Sequence, residues 1–257
     1  MCLLVVAFQL FEDTPLLIGA NRDEFLNRPA VSMTVLRPEG PRVLGGQDLQ
    51  SGGTWLAINE WGVFAGLTNQ PREAGRDPSR RTRGELPLAL TGGADAKSCV
   101  DDFLAHHRPS DYNGSWLLAG DREALFFIDF TGLIEANAEP LPPGLYVLEN
   151  RPLGAPSPKT ARVTTSLADL EDAAAAVTAF QRVLADHVEE EPEGPTGPRS
   201  SANCVHLDGY GTRSSCIVRC GAGAGSVPQI RVADGPPCTE PFADVSGLWA
   251  ATMPLPR

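Results

Sequence analysis

The chain has 257 residues, 42% of them hydrophobic and 21% charged, which is ordinary globular composition with enough chain for a large core. A net charge of −11 argues against nucleic acid and anionic membrane surfaces as partners. No apolar run approaches the ~20 residues that span a bilayer, and the start lacks the basic segment and cleavage site of a secretory signal. A cytoplasmic location is therefore expected. The six cysteines, at 2, 99, 204, 216, 220 and 238, form no C-x-x-C and are expected as reduced thiols.

Met1-Cys2-Leu3-Leu4-Val5-Val6-Ala7-Phe8 is an apolar, β-branched run that reads as a buried strand with Cys2 at its end. Loss of Met1 would give Cys2 an α-amine beside its thiol. An α-amine of pKa ~7.7–8.0 can serve as general base to a nucleophile on the same residue. The competing reading is a small buried hydrophobe. Leu16–Ala20 is a second strand after a turn at Glu12-Asp13-Thr14-Pro15, and Asn21-Arg22-Asp23-Glu24 follows it either at a cleft or as a charged turn. Short β-like runs at Val31–Leu36, Val43–Gly46, Thr54–Asn59 and Val63–Thr68 predict successive antiparallel strands.

Arg72, Arg76, Arg80, Arg81 and Arg83 crowd a short stretch of an acidic chain, as a carboxylate or phosphate site or as a solvated loop. Thr82 and Asp95 are caps for helices over Gly84–Leu90 and Ala96–His106. Adjacent His106 and His107 point to different sides of the helix and make a poor metal pair. Strands are predicted at Ser115–Ala119, Ala124–Phe130 and Gly144–Leu148. An irregular connection, Pro152 to Pro158, leads to a long helix over Leu167–Val188. Glu189–Pro198 is a mobile acidic loop. Strands over Asn203–Leu207, Thr212–Cys220 and Gln229–Ala233 close the chain. In a strand Cys216, Val218 and Cys220 share one face, so these cysteines read as core. A four-thiol zinc site completed by Cys204 and Cys238 would have unusual spacings, and no metal site is expected. The pattern is α+β in layers, in one domain over 1–257.

Several of these stretches, in order, resemble one family: Met1-Cys2; Asn21-Arg22-Asp23-Glu24 followed by Arg28-Pro29; Gly53-Thr54-Trp55-Leu56; Asn59-Glu60-Trp61-Gly62 leading to Gly66-Leu67-Thr68-Asn69; Arg83-Gly84-Glu85-Leu86; and Tyr210-Gly211-Thr212-Arg213-Ser214-Ser215. This is similar to the NRDE family, the transport and Golgi organisation proteins. That family in turn resembles the N-terminal-nucleophile group of choloylglycine hydrolase and penicillin V acylase. The resemblance implies a four-layer αββα sandwich. It also implies Cys2 as nucleophile, Asp23 fixing the thiol and ammonium, Asn150 with a backbone N–H near Thr68 or Asn69 as oxyanion donors, and Arg213 as a further catalytic residue. One position departs. The acylases carry arginine in a Gly-Arg-Asn-x-Asp pattern, where this chain has Ala20, and Arg22 is expected on the other side of the strand.

The reaction so implied is hydrolysis of a non-peptide C–N amide, or of a thioester, with no cofactor. Asn21, Arg22, Arg28, Thr68, Asn69 and Arg83 are the expected substrate contacts, for a small molecule with an anionic group. The alternative implied by the resemblance is a carrier of haem or acyl-CoA, in which Arg22, Arg28, Arg213 and the arginines at 80–83 receive propionates or phosphates and Cys2 or His206 touches haem iron.

Overall fold

The computed structural model describes residues 3–73, 75–170, 172–188, 201–223 and 225–251. Cys2 and the acidic 189–198 loop lie outside them. Two antiparallel sheets dominate. In chain order the strands are β1 (Leu3–Phe11), β2 (Thr14–Phe25), β3 (Ala30–Arg37), β4 (Val43–Asp48), β5 (Leu56–Asn59), β6 (Phe64–Asn69), β7 (Ser115–Gly120), β8 (Leu125–Phe130), β9 (Asn137–Pro140), β10 (Gly144–Leu148), β11 (His206–Leu207), β12 (Tyr210–Cys220), β13 (Gln229–Ala233) and β14 (Ala243–Asp244). The first sheet runs β10-β1-β2-β12-β13-β14, with β11 beside β12, and the second runs β3 to β9 in sequence order. Four helices complete the layers: α1 (Leu86–Ala89), α2 (Ala96–His106), α3 (Pro158–Ser166) and α4 (Ala173–Leu184). None among the described residues is long and apolar enough to cross a membrane.

The layering follows from the period-two alternation of strand side chains. Along β1, Leu4, Val6 and Phe8 pack between the sheets, against Leu44, Ile58 and Phe64 of the second. Leu3, Val5 and Ala7 face the other way, onto Val163 of α3 and Phe180 and Leu184 of α4. Both faces of β1 are thus buried, which is why its sequence is continuously apolar. On the second sheet Ala65, Leu117 and Ile128 pack under Leu86 and Leu90 of the α1 segment and Val100 and Phe103 of α2. The result is an αββα sandwich, the layering that the resemblance implies.

Several boundaries differ from the sequence expectation. β2 runs on through Asn21-Arg22-Asp23-Glu24, so these polar residues lie within the strand. Their hydrogen-bonding groups are absorbed by pairing with β12, from Asn21↔Ser215 to Glu24↔Gly211. The long helix expected over Leu167–Val188 is only α4, because Asp172 accepts the Ala175 N–H and caps it there. Leu167 instead ends α3. That helix begins with Ser157, which caps the Thr160 N–H, and Pro158 in the first turn, a start signal hidden in a run of prolines. The β9 edge strand was also not foreseen, since it carries Pro140 and is largely exposed. Asn203–Leu207 contributes only the two-residue β11. Cys216 and Cys220 do pack between the sheets with Val218, and burial pushes both thiols up to about 12.

Two of the motif glycines are explained by backbone contact. A Cβ on Gly53 would sit 2.5 Å from Gly84 Cα, and one on Gly84 would sit 2.7 Å from Gly53 Cα. The Thr54 N–H donates to the Gly84 carbonyl at 3.0 Å across the same contact. This backbone-to-backbone seam fixes the Arg83 segment against the second sheet. Gly53→Ala and Gly84→Ala are each expected to cost about 1–3 kcal/mol in urea melts, and a variant as stable as the parent would contradict the seam.

Candidate active site

Asp23 is the buried ionisable group at the end of the first sheet, 4% exposed. It is positioned by β12: the Thr212 hydroxyl donates to Asp23 Oδ1 at 2.6 Å, and the Tyr210 hydroxyl donates to the Asp23 backbone carbonyl at 2.9 Å. Thr212 is held in turn by the Val205 N–H, which donates to its Oγ1 at 2.9 Å. Burial pushes the Asp23 carboxyl above the ordinary carboxylate range. The charges of Lys159 and Arg22 and the Thr212 hydrogen bond pull it down without restoring it.

Lys159, in the first turn of α3, is the functional candidate that sequence reading missed. It is 2% exposed, and its Nζ has no hydrogen-bond partner among the described residues. A lysine buried this deeply beside a carboxylate is unusual for a structural helix residue. The only sequence signal was the Ser157-Pro158 helix start, which turns the lysine inward one residue later.

Across β1 from Asp23, Asn150 follows β10. Its amide donates to the Asn69 carbonyl at 2.6 Å, joining the two sheets at this end. Asn69 and neighbouring Thr68 end β6, and Thr68 is fully buried with its hydroxyl unpartnered among the described residues. The register frames the start of β1: Leu3 pairs with Asn21, two residues before Asp23, and Leu4 with Leu148, two residues before Asn150.

A cleft of about 120 Å³ opens beside these groups, with Arg22, Arg28, Arg76, Arg81 and Arg83 on its walls together with Asp23 and Asn69. The arginines are not equivalent. Arg28 is committed to Asp48, with Nη2–Oδ2 at 2.6 Å, and Arg81 to Glu85, at 2.6 Å. For Asp48 burial opposes ionisation, but the hydrogen bond and charge of Arg28 together with the backbone N–H groups of Ser51 and Gln50 outweigh it and hold the carboxyl below its usual range. Arg83 donates to the Gly114 carbonyl at 3.1 Å and lines the cleft from the glycine seam. Arg80 turns away to the Tyr112 carbonyl at 2.5 Å. Arg22 lies over the Trp55 ring, 4.5 Å from its centroid, and that ring packs flat on Gly46.

The expected departure at Ala20 also resolves differently. Ala20 belongs to the core between the sheets, and Arg22, two residues on, points to the same side, toward Trp55 of the second sheet. Arg22 thus supplies a guanidinium from the face on which Ala20 lacks one. Two other expected site residues stand apart. Both hydrogens of the Asn21 amide are spent on the Leu184 and Asn203 carbonyls, each at 2.8 Å. Its role is to close the end of α4, since consecutive strand residues face opposite layers. Arg213 sits at the irregularity in the β2–β12 pairing, donates to the Leu26 carbonyl, and lines a neighbouring hollow of about 420 Å³ that shares Arg22 with the cleft.

Asp23→Asn retains an oxygen for the Thr212 hydroxyl and removes a buried charge. The native carboxyl is raised, so its ionisation penalises the folded state only above the unfolded carboxylate pKa of ~3.9, and the penalty grows until pH passes the native value. Thermal melts are expected to show Asp23→Asn more stable than the parent at neutral pH, with the gain gone at about pH 3. A loss of stability at neutral pH would contradict this assignment.

The family profile described as transport and Golgi organisation 2 matches residues 1–226. Relatives include the mouse transport and Golgi organization 2 homolog, 30% identical over 233 residues covering 79% of this chain and 81% of that protein. The human transport and Golgi organization protein 2 homolog is 31% identical over 231 residues, with the same coverage. Among solved structures, the Caenorhabditis elegans N-acylethanolamine-hydrolyzing acid amidase ortholog superposes with a TM-score of 0.56 at 14% identity, covering 84% of this chain and 92% of its own. Penicillin V acylase from Agrobacterium tumefaciens gives 0.51 at 11% identity, covering 95% and 98%. These structures share the fold, and the sequence relatives place the protein more closely: the chain belongs to the transport and Golgi organisation 2 family.

Proposed function

We propose that the protein is an N-terminal-nucleophile hydrolase, with Cys2 attacking the carbonyl of a non-peptide amide or thioester that carries an anionic group. The observation that carries this reading is the buried carboxyl of Asp23, within reach of the charge of buried Lys159, at the end of the sheet where β1 begins. Cys2 is bonded directly to Leu3, whose strand lies between those bearing Asp23 and Asn150. The amide hydrolases that share the fold support the reaction class.

In this reading the Cys2 thiol gives its proton to its own α-amine as sulfur bonds to the carbonyl carbon. A thiol already ionises to a few per cent at neutral pH and needs little activation. The tetrahedral oxyanion is met by the Asn150 amide, oriented through the Asn69 carbonyl, and by a backbone N–H at Thr68 or Asn69. Collapse breaks the C–N or C–S bond, and the leaving group takes the proton from the ammonium. Water, deprotonated by the same amine, then cleaves the acyl-thioester and frees Cys2. Asp23 orients the ammonium, and the charge of Lys159 favours its ionised form against the burial that opposes it. Arg83, Arg76 and Arg22 receive the anionic part of the substrate.

The arginine-lined cleft also supports a second reading, a carrier of haem or acyl-CoA. The two separate on Cys2. Against acyl-amide and acyl-thioester panels, Cys2→Ala is expected to abolish turnover with its melt unchanged. Asn150→Ala is expected to lower kcat roughly 10²–10³-fold, and Arg83→Ala to raise KM for anionic substrates with kcat little changed. Turnover unchanged in Cys2→Ala would refute the mechanism. Stoichiometric ligand binding that survives Cys2→Ala and fails in Arg83→Ala would establish the carrier.

A further inference from the structure

Away from the cleft, four side chains with metal-ligating atoms converge from three segments. His187 follows α4, Cys204 precedes β11, His206 opens it, and Cys238 lies after β13. Their donor atoms all lie within 4.8 Å of one another. Cys204 Sγ is 3.7 Å from Cys238 Sγ, and His206 Nε2 is 3.5 Å from the first sulfur and 3.3 Å from the second. The rings of His187 and His206 lie 5.0 Å apart, centroid to centroid.

The three separations among Cys204 Sγ, Cys238 Sγ and His206 Nε2 are those of the corners of a tetrahedron around one ion, and His187 lies close enough to supply the fourth. With Zn–S at about 2.3 Å and Zn–N at about 2.0–2.1 Å, tetrahedral angles place two sulfurs about 3.8 Å apart and sulfur and nitrogen about 3.6 Å apart. A disulfide would need ~2.05 Å between the sulfurs. The donor set of two thiolates and two imidazoles suits zinc and excludes the oxygen-seeking cations calcium and magnesium.

We propose that His187, Cys204, His206 and Cys238 form a structural zinc site. Four protein ligands leave no open coordination position, so the ion clamps rather than catalyses. It ties the end of α4 to the β11–β12 hairpin and to the loop after β13. The Cys204 N–H donates to the Asp186 carbonyl at 2.8 Å, beside the first ligand. Val205, the next residue, donates to Thr212, which holds Asp23. The clamp therefore stands two hydrogen bonds from the buried carboxylate of the cleft. This reverses the expectation of no metal site. Cys216 and Cys220 are core residues as argued from the sequence, but Cys204 and Cys238 find histidines as partners, one of them distant in sequence. Only Cys204-Val205-His206 was visible as a ligand-like pair.

The test is metal content of the full chain, purified without chelator and measured by elemental mass spectrometry and native mass. About one zinc per chain is expected. Zinc-stripped protein titrated with Co²⁺ should show the visible bands of tetrahedral cobalt and a thiolate-to-cobalt charge-transfer band. Cys238→Ser and His187→Ala should lose zinc to a chelator that leaves the parent loaded, while His106→Ala, on exposed α2, should keep it. His187 is exposed, so its variant remains informative if Cys238→Ser fails to fold. Parent protein that holds no zinc and gives no tetrahedral cobalt spectrum would overturn the proposal. So would recovery of a Cys204–Cys238 disulfide peptide from metal-free protein.

Discussion

The burial of one carboxylate inside a sheet is the constraint on which the rest of this structure turns. Asp23 lies on β2 between β1 and β12, where both faces of the sheet are covered. An isolated charge in such a place is costly, and its raised native pKa records the part of that cost which the protein leaves uncompensated. Three described residues supply part of the compensation. Thr212 donates from the paired strand, Lys159 arrives from the first turn of α3, and Arg22 brings its charge from the opposite face of the same strand. Each partner is itself fixed: Thr212 by Val205, Lys159 by the Ser157 cap, and Arg22 by the ring of Trp55. A carboxylate held at a cost to stability is what a site selected for chemistry, rather than for folding, looks like.

The cleft beside Asp23 divides its arginines by work. Arg28 and Arg81 are neutralised within the protein by Asp48 and Glu85, and so act as struts of the cleft wall. Arg83 reaches the cleft from the Gly53–Gly84 backbone seam, and Arg22 lies over the Trp55 ring, which packs on Gly46. At Gly53 and Gly84 the close approach of main chains sets the position of the adjacent Arg83. The proposed zinc clamp extends the same logic to the far side of Asp23. There the segment from Cys204 to Thr212 must hold its place although it contributes only two strand residues before β12.

Much of the sandwich was legible in the sequence, because period-two alternation and turn residues mark the strands of the second sheet cleanly. Continuous apolar β1 was legible for the opposite reason, since burial on both faces leaves no alternation to see. The failures share a cause: tertiary partners overrode local signals. Asn21-Arg22-Asp23-Glu24 looked like an interruption because nothing local shows that β12 will pair with it. Lys159 drew no reading from the sequence, because nothing local shows that α3 turns it toward Asp23, distant in sequence. Asn21 was assigned to substrate, although the alternation that places Arg22 toward the second sheet turns Asn21 toward the end of α4. Arg213 lies in the adjoining hollow for a similar reason, the shift in β2–β12 pairing beside it. The four ligands of the proposed zinc site come from three segments, and no spacing rule would have grouped them.

The most direct test of the central claim is the intact mass of the purified protein under denaturing conditions. The account requires Cys2 to carry a free α-amine, because no other base is assigned to its thiol. It therefore predicts a single mass lacking Met1, with or without an acyl group on Cys2. A mass that retains Met1 would leave an amide nitrogen where the base must be, and would contradict the assignment of this site to N-terminal-nucleophile hydrolysis.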